Sequence, residues 1–317
     1  MSKPVLTELL NIHHPIIMAP MFLVSNEEMI IAASKAGITG AIPALNWRTL
    51  DQMEAGIKHI KAKSEGPFGI NLIVNKSNIK YREQLELISD IGVDYIITSL
   101  GSPKETIAKA HAKGIQVYCD VTNLEYAKKV EKLGADALIA VNKEAGGHAG
   151  KIKANDLIPE LARECTIPTI SAGGVGTQQQ LQKMLDLGAS GCSIGSVFIA
   201  THESPVSDEY KTACIDYGAD DIVMTTKLSG TPCTVIKTPY VERIGTEQNW
   251  LENLLNKNRK LKKWVKMLTF YKGMKSLEKA AFSATYKTLW CAGPSIEHVH
   301  QVKSIAQVVD QLTQKGK

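Results

Sequence analysis

Residues 92–141 read GVDYIITSLGSPKETIAKAHAKGIQVYCDVTNLEYAKKVEKLGADALIAV. Three apolar runs, Tyr95–Ser99, Gln116–Val121 and Ala137–Val141, alternate with two amphipathic stretches, Lys104–Ala112 and Glu125–Leu133. Gly114 and Gly134 stand where each stretch ends and the next run begins. Glycine suits the left-handed position that closes a helix, because it has no Cβ to clash there. The segment is therefore a strand–helix–strand–helix–strand relay. Its runs are almost continuously apolar, as in strands covered on both faces.

The same theme extends in both directions. Upstream runs fall at Ile16–Ala19, Gly40–Pro43 and Phe68–Leu72, and downstream runs at Thr169–Ala172 and Cys192–Ile194. Helical patterns lie between them at Glu27–Lys35, Leu50–Lys61, Tyr81–Ile91, Asp156–Glu164 and Gln178–Leu187, with Gly37, Gly92 and Gly188 closing three of them. Runs recur roughly every 20–30 residues, the length of one βα unit. Eight such units predict an α/β fold, a closed (β/α)8 TIM barrel. A doubly wound open sheet competes, but its phosphate loop would follow the first strand. Here that strand ends in Ala19-Pro20-Met21, so the barrel is preferred.

Residues 205–290 break the rhythm. They read as a mostly helical insertion or lid over the barrel mouth, with a loop at Ser229-Gly230-Thr231-Pro232. The barrel is assigned to 1–204 and 291–317, its last helix carrying Ile305, Val308, Val309 and Leu312. The absence of a Gly/Ser-rich linker gives no reason for the insertion to fold alone.

The chain has 317 residues, 44% apolar and 22% charged, which excludes disordered and fibrous classes. Its net charge of +5 is uneven: residues 241–317 carry 14 basic and 6 acidic side chains. Much of the excess lies in 257–275, and across this stretch Leu254, just before it, with Leu261, Trp264, Val265, Leu268 and Tyr271, shares one helical face opposite the cations. A solvated amphipathic helix is the plain reading, and a basic edge for an anionic substrate or carrier is the sharper one. Nucleic-acid binding is not expected. The six cysteines (119, 165, 192, 214, 233 and 291) form no C-x-x-C, arguing against a disulfide framework or structural zinc. Neither a secretory signal nor a membrane span is visible, so a cytoplasmic location is expected.

Barrel enzymes work at the C-terminal ends of their strands and bind phosphate at the loops after strands seven and eight. Those loops are Ser171-Ala172-Gly173-Gly174-Val175-Gly176 and Ile194-Gly195-Ser196. Without side chains, glycine backbone can approach a phosphate, and a helix beginning near Thr177 adds its positive end. Two ordinary turns would give the same letters, but glycine at both expected loops favours a phosphate-bearing ligand. After strand six comes Asn142-Lys143-Glu144-Ala145-Gly146-Gly147-His148-Ala149-Gly150. Such a loop can run flush against a flat ligand, with His148 as the proton-exchanging group. A loop histidine satisfied locally is the competing reading. His13, His14, His59, His111 and His202 read as turn or surface residues, and His298 and His300 lack a third ligand for a metal.

The motifs PIIMAPMFLVSN, PFGINL, EAGGHAG, SAGGVG and GSVFIAT occur in this order over most of residues 10–235, with LWCAGPS a weaker echo. Together they resemble the nitronate monooxygenase (2-nitropropane dioxygenase) family of FMN-dependent barrels, whose relatives include enoyl-acyl-carrier-protein reductase II. The resemblance implies FMN phosphate at Gly173, Gly174, Gly195 and Ser196, beside Ala172. It implies Ala19, Pro20 and Met21 along the isoalloxazine, Asn71 at its polar edge, and Ala145, Gly146 and Gly147 flanking it. His148 takes the family's catalytic position. Ser99 and Asp120 line the pocket, and Lys143 and Glu144 stand nearby with open roles.

Two departures bear on the substrate. Asp120 stands where some relatives carry a basic residue, and Thr231, Pro232 and Thr234 where many carry arginines. The implied activity is oxidation of an alkyl nitronate by dioxygen to a carbonyl compound and nitrite. The alternative is an NAD(P)H-dependent reductase acting on a quinone or enoyl thioester. A non-catalytic FMN-binding module and a flavin-free phosphosugar enzyme rank lower. The partner expected is a small molecule, and a homodimer is compatible with the reading.

Overall fold

A computed structural model describes residues 3–76, 78–226, 232–247 and 289–314. Strands β1 (Ile16–Met18), β2 (Thr39–Pro43), β3 (Phe68–Ile73), β4 (Tyr95–Ser99), β5 (Gln116–Val121) and β6 (Ala137–Val141) lie side by side in chain order. A two-residue strand, β7 (Gly147–His148), stands apart; β8 (Thr169–Ala172) and β9 (Gly191–Ile194) complete a closed barrel. All its pairings are parallel, and β9 closes on β1 with Ile16 opposite Cys192 and Met18 opposite Ile194. The expected (β/α)8 barrel is what forms.

Around it run α1 (Leu6–Leu10), α2 (Glu27–Lys35), α3 (Leu50–Lys63), α4 (Tyr81–Ile91), α5 (Lys104–His111), α6 (Leu124–Lys132), α7 (Ala154–Glu164) and α8 (Gln178–Asp186). Asn26, Thr49, Asn123 and Thr177 cap four of these helices, each side chain accepting from a backbone N–H in the first turn. The glycines expected to close helices at 37, 92, 114, 134 and 188 all have positive φ.

Alternate strand residues separate into two apolar clusters. Ile17, Ala41, Tyr95, Ile97, Tyr118, Ile139 and Ile170 fill the barrel interior, together with Leu6 and Leu10 of α1. Ile16, Ile42, Ile70, Ile96 and Leu138 face the helices. Two-residue periodicity sets this division. Tyr95 and Tyr118 stack with centroids 4.9 Å apart, and the Tyr95 hydroxyl meets Thr39 Oγ1 at 3.0 Å. Gly69 makes room for that ring, since a Cβ there would collide with it.

Beyond residue 205 come α9 (Asp208–Asp216), β10 (Ile222–Thr225), β11 (Cys233–Ile236) and α10 (Pro239–Ile244). Strands β10 and β11 pair antiparallel, and β11 also pairs with β7, setting Cys233 opposite His148 and Thr234 opposite Gly147. The expectation of a mostly helical stretch over 205–290 did not anticipate this small sheet, whose β-branched strands IVMT and CTVI suit extended backbone. Residues 248–288, with the basic segment 257–275 and its apolar face, lie outside the described residues. The chain returns at 289 and ends its described part in α11 (Ile305–Thr313), which packs on α2 and α8 and buries Ile305, Val308, Val309 and Leu312. Among the described residues no helix is long and apolar enough to cross a membrane.

Candidate active site at the barrel mouth

The C-terminal ends of the barrel strands open into a cavity of about 720 Å³. Ala19, Pro20 and Met21 line it after β1, Asn71 and Ser99 from β3 and β4, and Asp120 from β5. Ala145, Gly146, Gly147 and His148 line it after β6, Ala172, Gly173 and Gly174 at β8, and Gly195 and Ser196 after β9. Sequence reading had scattered these residues over 178 positions; the fold gathers them all around one space. Lys143 is exposed and stands outside the lining, whereas Glu144 is part of it.

Asn142, fully buried, ties the two glycine loops together. Its Nδ2 donates to the Gly173 carbonyl at 3.1 Å, and its Oδ1 accepts from the Glu144 N–H at 2.8 Å. Gly173 and Gly174 have φ of +113° and +77°, a conformation that L side chains rarely adopt. A Cβ on Gly173 would strike the Ala145 backbone, and one on Gly174 the Glu144 carboxylate. Gly146 is pressed from behind by Gly293, whose N–H donates to Ser196 Oγ at 2.8 Å. These glycines thus let three chain segments meet at backbone distance. Gly195 is different: a Cβ there would approach Met21 and Ala19 only at 3.4–3.5 Å, so it faces the apolar floor.

His148 is held by strand pairing. Cys233 is its ladder partner, and the next residue, Thr234, opposite Gly147, donates from Oγ1 to the Ala145 carbonyl at 2.7 Å, bracing the loop. His148 is exposed at the cavity mouth, and the protein around that mouth still desolvates the imidazole enough to lower its pKa. At neutral pH it is uncharged and able to accept a proton.

On the other wall, Asn71 Nδ2 donates to Ser99 Oγ at 2.7 Å, and Ser99 Oγ donates to Asp120 Oδ2 at 2.5 Å. Burial pushes the Asp120 carboxyl up to about 6, against the opposing effect of the Ser99 hydrogen bond. The site therefore holds a neutral base and a carboxylate that titrates just below neutrality.

Several lining residues escaped sequence reading. Tyr126 and Lys129 reach the cavity from α6, Tyr210 from α9, Cys233 from β11 and Cys291 from the returning segment. Lys129 looked like one more cation on an amphipathic helix, Tyr126 and Tyr210 lie outside the quoted motifs, and Cys233 and Cys291, though beside or within quoted stretches, carried no signal of facing the cavity. Among the described residues no group of three His, Cys, Asp or Glu gathers as a metal site. His59 and His111 pair with Glu28 and Asp136 at the surface, and His298 meets Gln180 at 3.0 Å.

A family model described as nitronate monooxygenase matches residues 3–83 and 75–315. A Mycobacterium tuberculosis protein named (3aS,4S,5R,7aS)-5-hydroxy-7a-methyl-1-oxo-octahydro-1H-indene-4-carboxyl-CoA dehydrogenase is 32% identical over 242 residues, covering 75% of this chain and 67% of its own. A probable nitronate monooxygenase of Staphylococcus saprophyticus is 26% identical over 305 residues, covering 79% and 86%. Among solved structures, FabK from Thermotoga maritima superposes with a TM-score of 0.84 at 26% identity, covering 97% of this chain and 94% of that one. Nitroalkane oxidase from Streptomyces ansochromogenes shares the fold with a TM-score of 0.81 at 23% identity.

Proposed function

The chain belongs to the nitronate monooxygenase family and is an oxidoreductase of that type, and from that premise we propose that it binds FMN at the barrel mouth and oxidises an alkyl nitronate with dioxygen. The observation that carries the proposal is the convergence of two features on one cavity. His148 lines it together with the left-handed glycine turn at 173–174 and the Gly195-Ser196 turn, which pack against the loop that leads to the histidine.

The residues present suit FMN. Gly173, Gly174, Gly195 and the Ser196 hydroxyl would hold its phosphate, since glycine backbone lets an anion approach closely. Ala19, Pro20 and Met21, with Ala145, Gly146 and Gly147, offer a flat apolar seat for a ring system, and Asn71 a polar group at its edge. When bound, the flavin supplies the electron transfer that no side chain here can perform.

The protein's own part is proton handling and enclosure. The neutral imidazole of His148 accepts a proton from the carbon bearing the nitro group, converting a nitroalkane into its nitronate within the cavity. Backbone N–H groups of the glycine loop stabilise negative charge on the nitro oxygens. The mainly apolar walls limit water around the reacting carbon. Nitrite release and oxygen uptake with propionate-3-nitronate test the reading: stoichiometric nitrite is expected, and its absence from enzyme fully loaded with FMN rejects it.

A second reading, an NAD(P)H-dependent reductase of a quinone or enoyl thioester, is favoured by the 32% identity to a relative named for a CoA thioester and by Lys129 in the cavity wall. Lysine in such a position suits the phosphates of a nucleotide or carrier. Anaerobic mixing with NADH or NADPH separates the two. Rapid flavin bleaching supports the reductase, and slow reduction without nitronate supports the oxidase.

A further inference from the structure

Two of the six cysteines share the cavity wall. Cys233 Sγ and Cys291 Sγ lie 3.6 Å apart, although 58 positions separate them in sequence. Cys119, Cys165, Cys192 and Cys214 are buried and form no disulfide. Both backbones of the pair are fixed. Cys233 sits in the ladder between Thr225 and His148. Cys291 is anchored by its carbonyl, which accepts from the Tyr210 hydroxyl at 2.6 Å. On either side of it, the Trp290 carbonyl accepts from Ile236 N–H at 2.9 Å and the Gly293 N–H donates to Ser196 Oγ at 2.8 Å. The Tyr210 ring stacks on Trp290 with centroids 5.5 Å apart. The sulfurs need to approach by only about 1.5 Å to reach a bond length of about 2.05 Å.

We infer that Cys233 and Cys291 are an oxidation site, a dithiol that a peroxide converts reversibly to a disulfide in the cavity wall. Cys291 is the half-buried member and faces the cavity, so it meets the oxidant first. Its sulfur attacks hydrogen peroxide, forming S–O as O–O breaks and one water leaves, which gives a sulfenic acid. Cys233 Sγ then attacks that sulfur; S–S forms, S–O breaks, and the Cys233 proton leaves with the second water. Two thiols and one peroxide give one disulfide and two waters. The hydrogen bond to Cys291 and burial keep Cys233 protonated, so its proton leaves as its sulfur attacks. The bond would fasten the residue opposite His148 to the segment that backs Gly146, without changing the catalytic groups.

The test uses full-length protein, reduced and then exposed to hydrogen peroxide. The denatured thiol count is expected to fall from six to four, with a peptide linking Cys233 to Cys291, reversal by dithiothreitol, and a melting temperature raised by about 5 °C. Cys233→Ser is expected to leave Cys291 as a sulfenic acid that dimedone traps. An unchanged thiol count, a linkage to another cysteine, or irreversible oxidation of Cys291 without the link overturns the inference. The wild-type peptide map decides even if the variant fails to fold. It reads thiol chemistry alone, so its outcome is independent of whether the enzyme oxidises nitronates.

Discussion

Asp120 is ionised at pH 8 in a place that disfavours its charge, because burial raises its carboxyl to about 6 from an ordinary 3.8. A raised acid binds its proton more tightly folded than unfolded, so the charged form costs stability above pH 6. The cost fades as pH falls toward 3.8. Asp120→Asn is therefore expected to stabilise the unliganded protein by about 1–2 kcal/mol at pH 8. Urea unfolding at a series of pH values should show that gain shrinking below pH 6; a gain independent of pH would contradict the assignment. For His148 the neutral form is favoured as well, but a base is charged on the acid side, so its cost appears as pH falls rather than as it rises. Turnover should hold steady near pH 7 and decline on the acid side as the imidazole protonates. His148→Ala should lower kcat by about 10²- to 10⁴-fold, while FMN affinity by fluorescence titration stays within about twofold. Glu144 places a carboxylate against Gly174, beside the turn assigned to phosphate. Glu144→Gln should tighten FMN binding by roughly threefold to tenfold, more at low salt than at high.

The decisive element is the shortest one. Strand β7 is only Gly147–His148, and its orientation comes from β11 rather than from its own sequence. Thr234 supplies the hydroxyl that holds the Ala145 carbonyl. Thr234→Val keeps the shape and removes that donor, at a cost of about 1 kcal/mol. With the histidine loop loosened, kcat should fall severalfold while the thermal midpoint moves by only a few degrees. If kcat is unchanged, the brace does not position His148. This element also marks where sequence reading ends. The barrel runs were visible because strands buried on both faces are continuously apolar, and helix-closing glycines punctuate them. A two-residue strand carries no periodicity, and its partner lies more than 80 residues away, so neither pattern nor turn chemistry reveals the pairing. Asn142 was likewise visible only as the start of a glycine-rich loop. Its role in joining two loops emerges from the closed barrel.

For the molecule as a whole, the barrel interior divides into a packed lower part and an open mouth. Stacked Tyr95 and Tyr118 fill the former above α1, and Gly69 yields space to the Tyr95 ring. Gly69→Ala should destabilise the fold by about 1–3 kcal/mol through overpacking, seen as a lower melting temperature. Near-normal FMN affinity at 20 °C is expected, because the mouth lies at the other end of the strands. Loss of flavin binding in folded protein would show the two ends to be coupled.

The segment from 289 onward supplies the backing of Gly146 and then the helix that fits between α2 and α8. During synthesis the eight strands therefore leave the ribosome well before the wall behind the histidine loop exists. A nascent chain can assemble its cylinder early, yet its cofactor berth is completed only after this late segment has emerged. Flavin capture should accordingly be a post-elongation event, and chains arrested before residue 289 should fold in part and remain colourless.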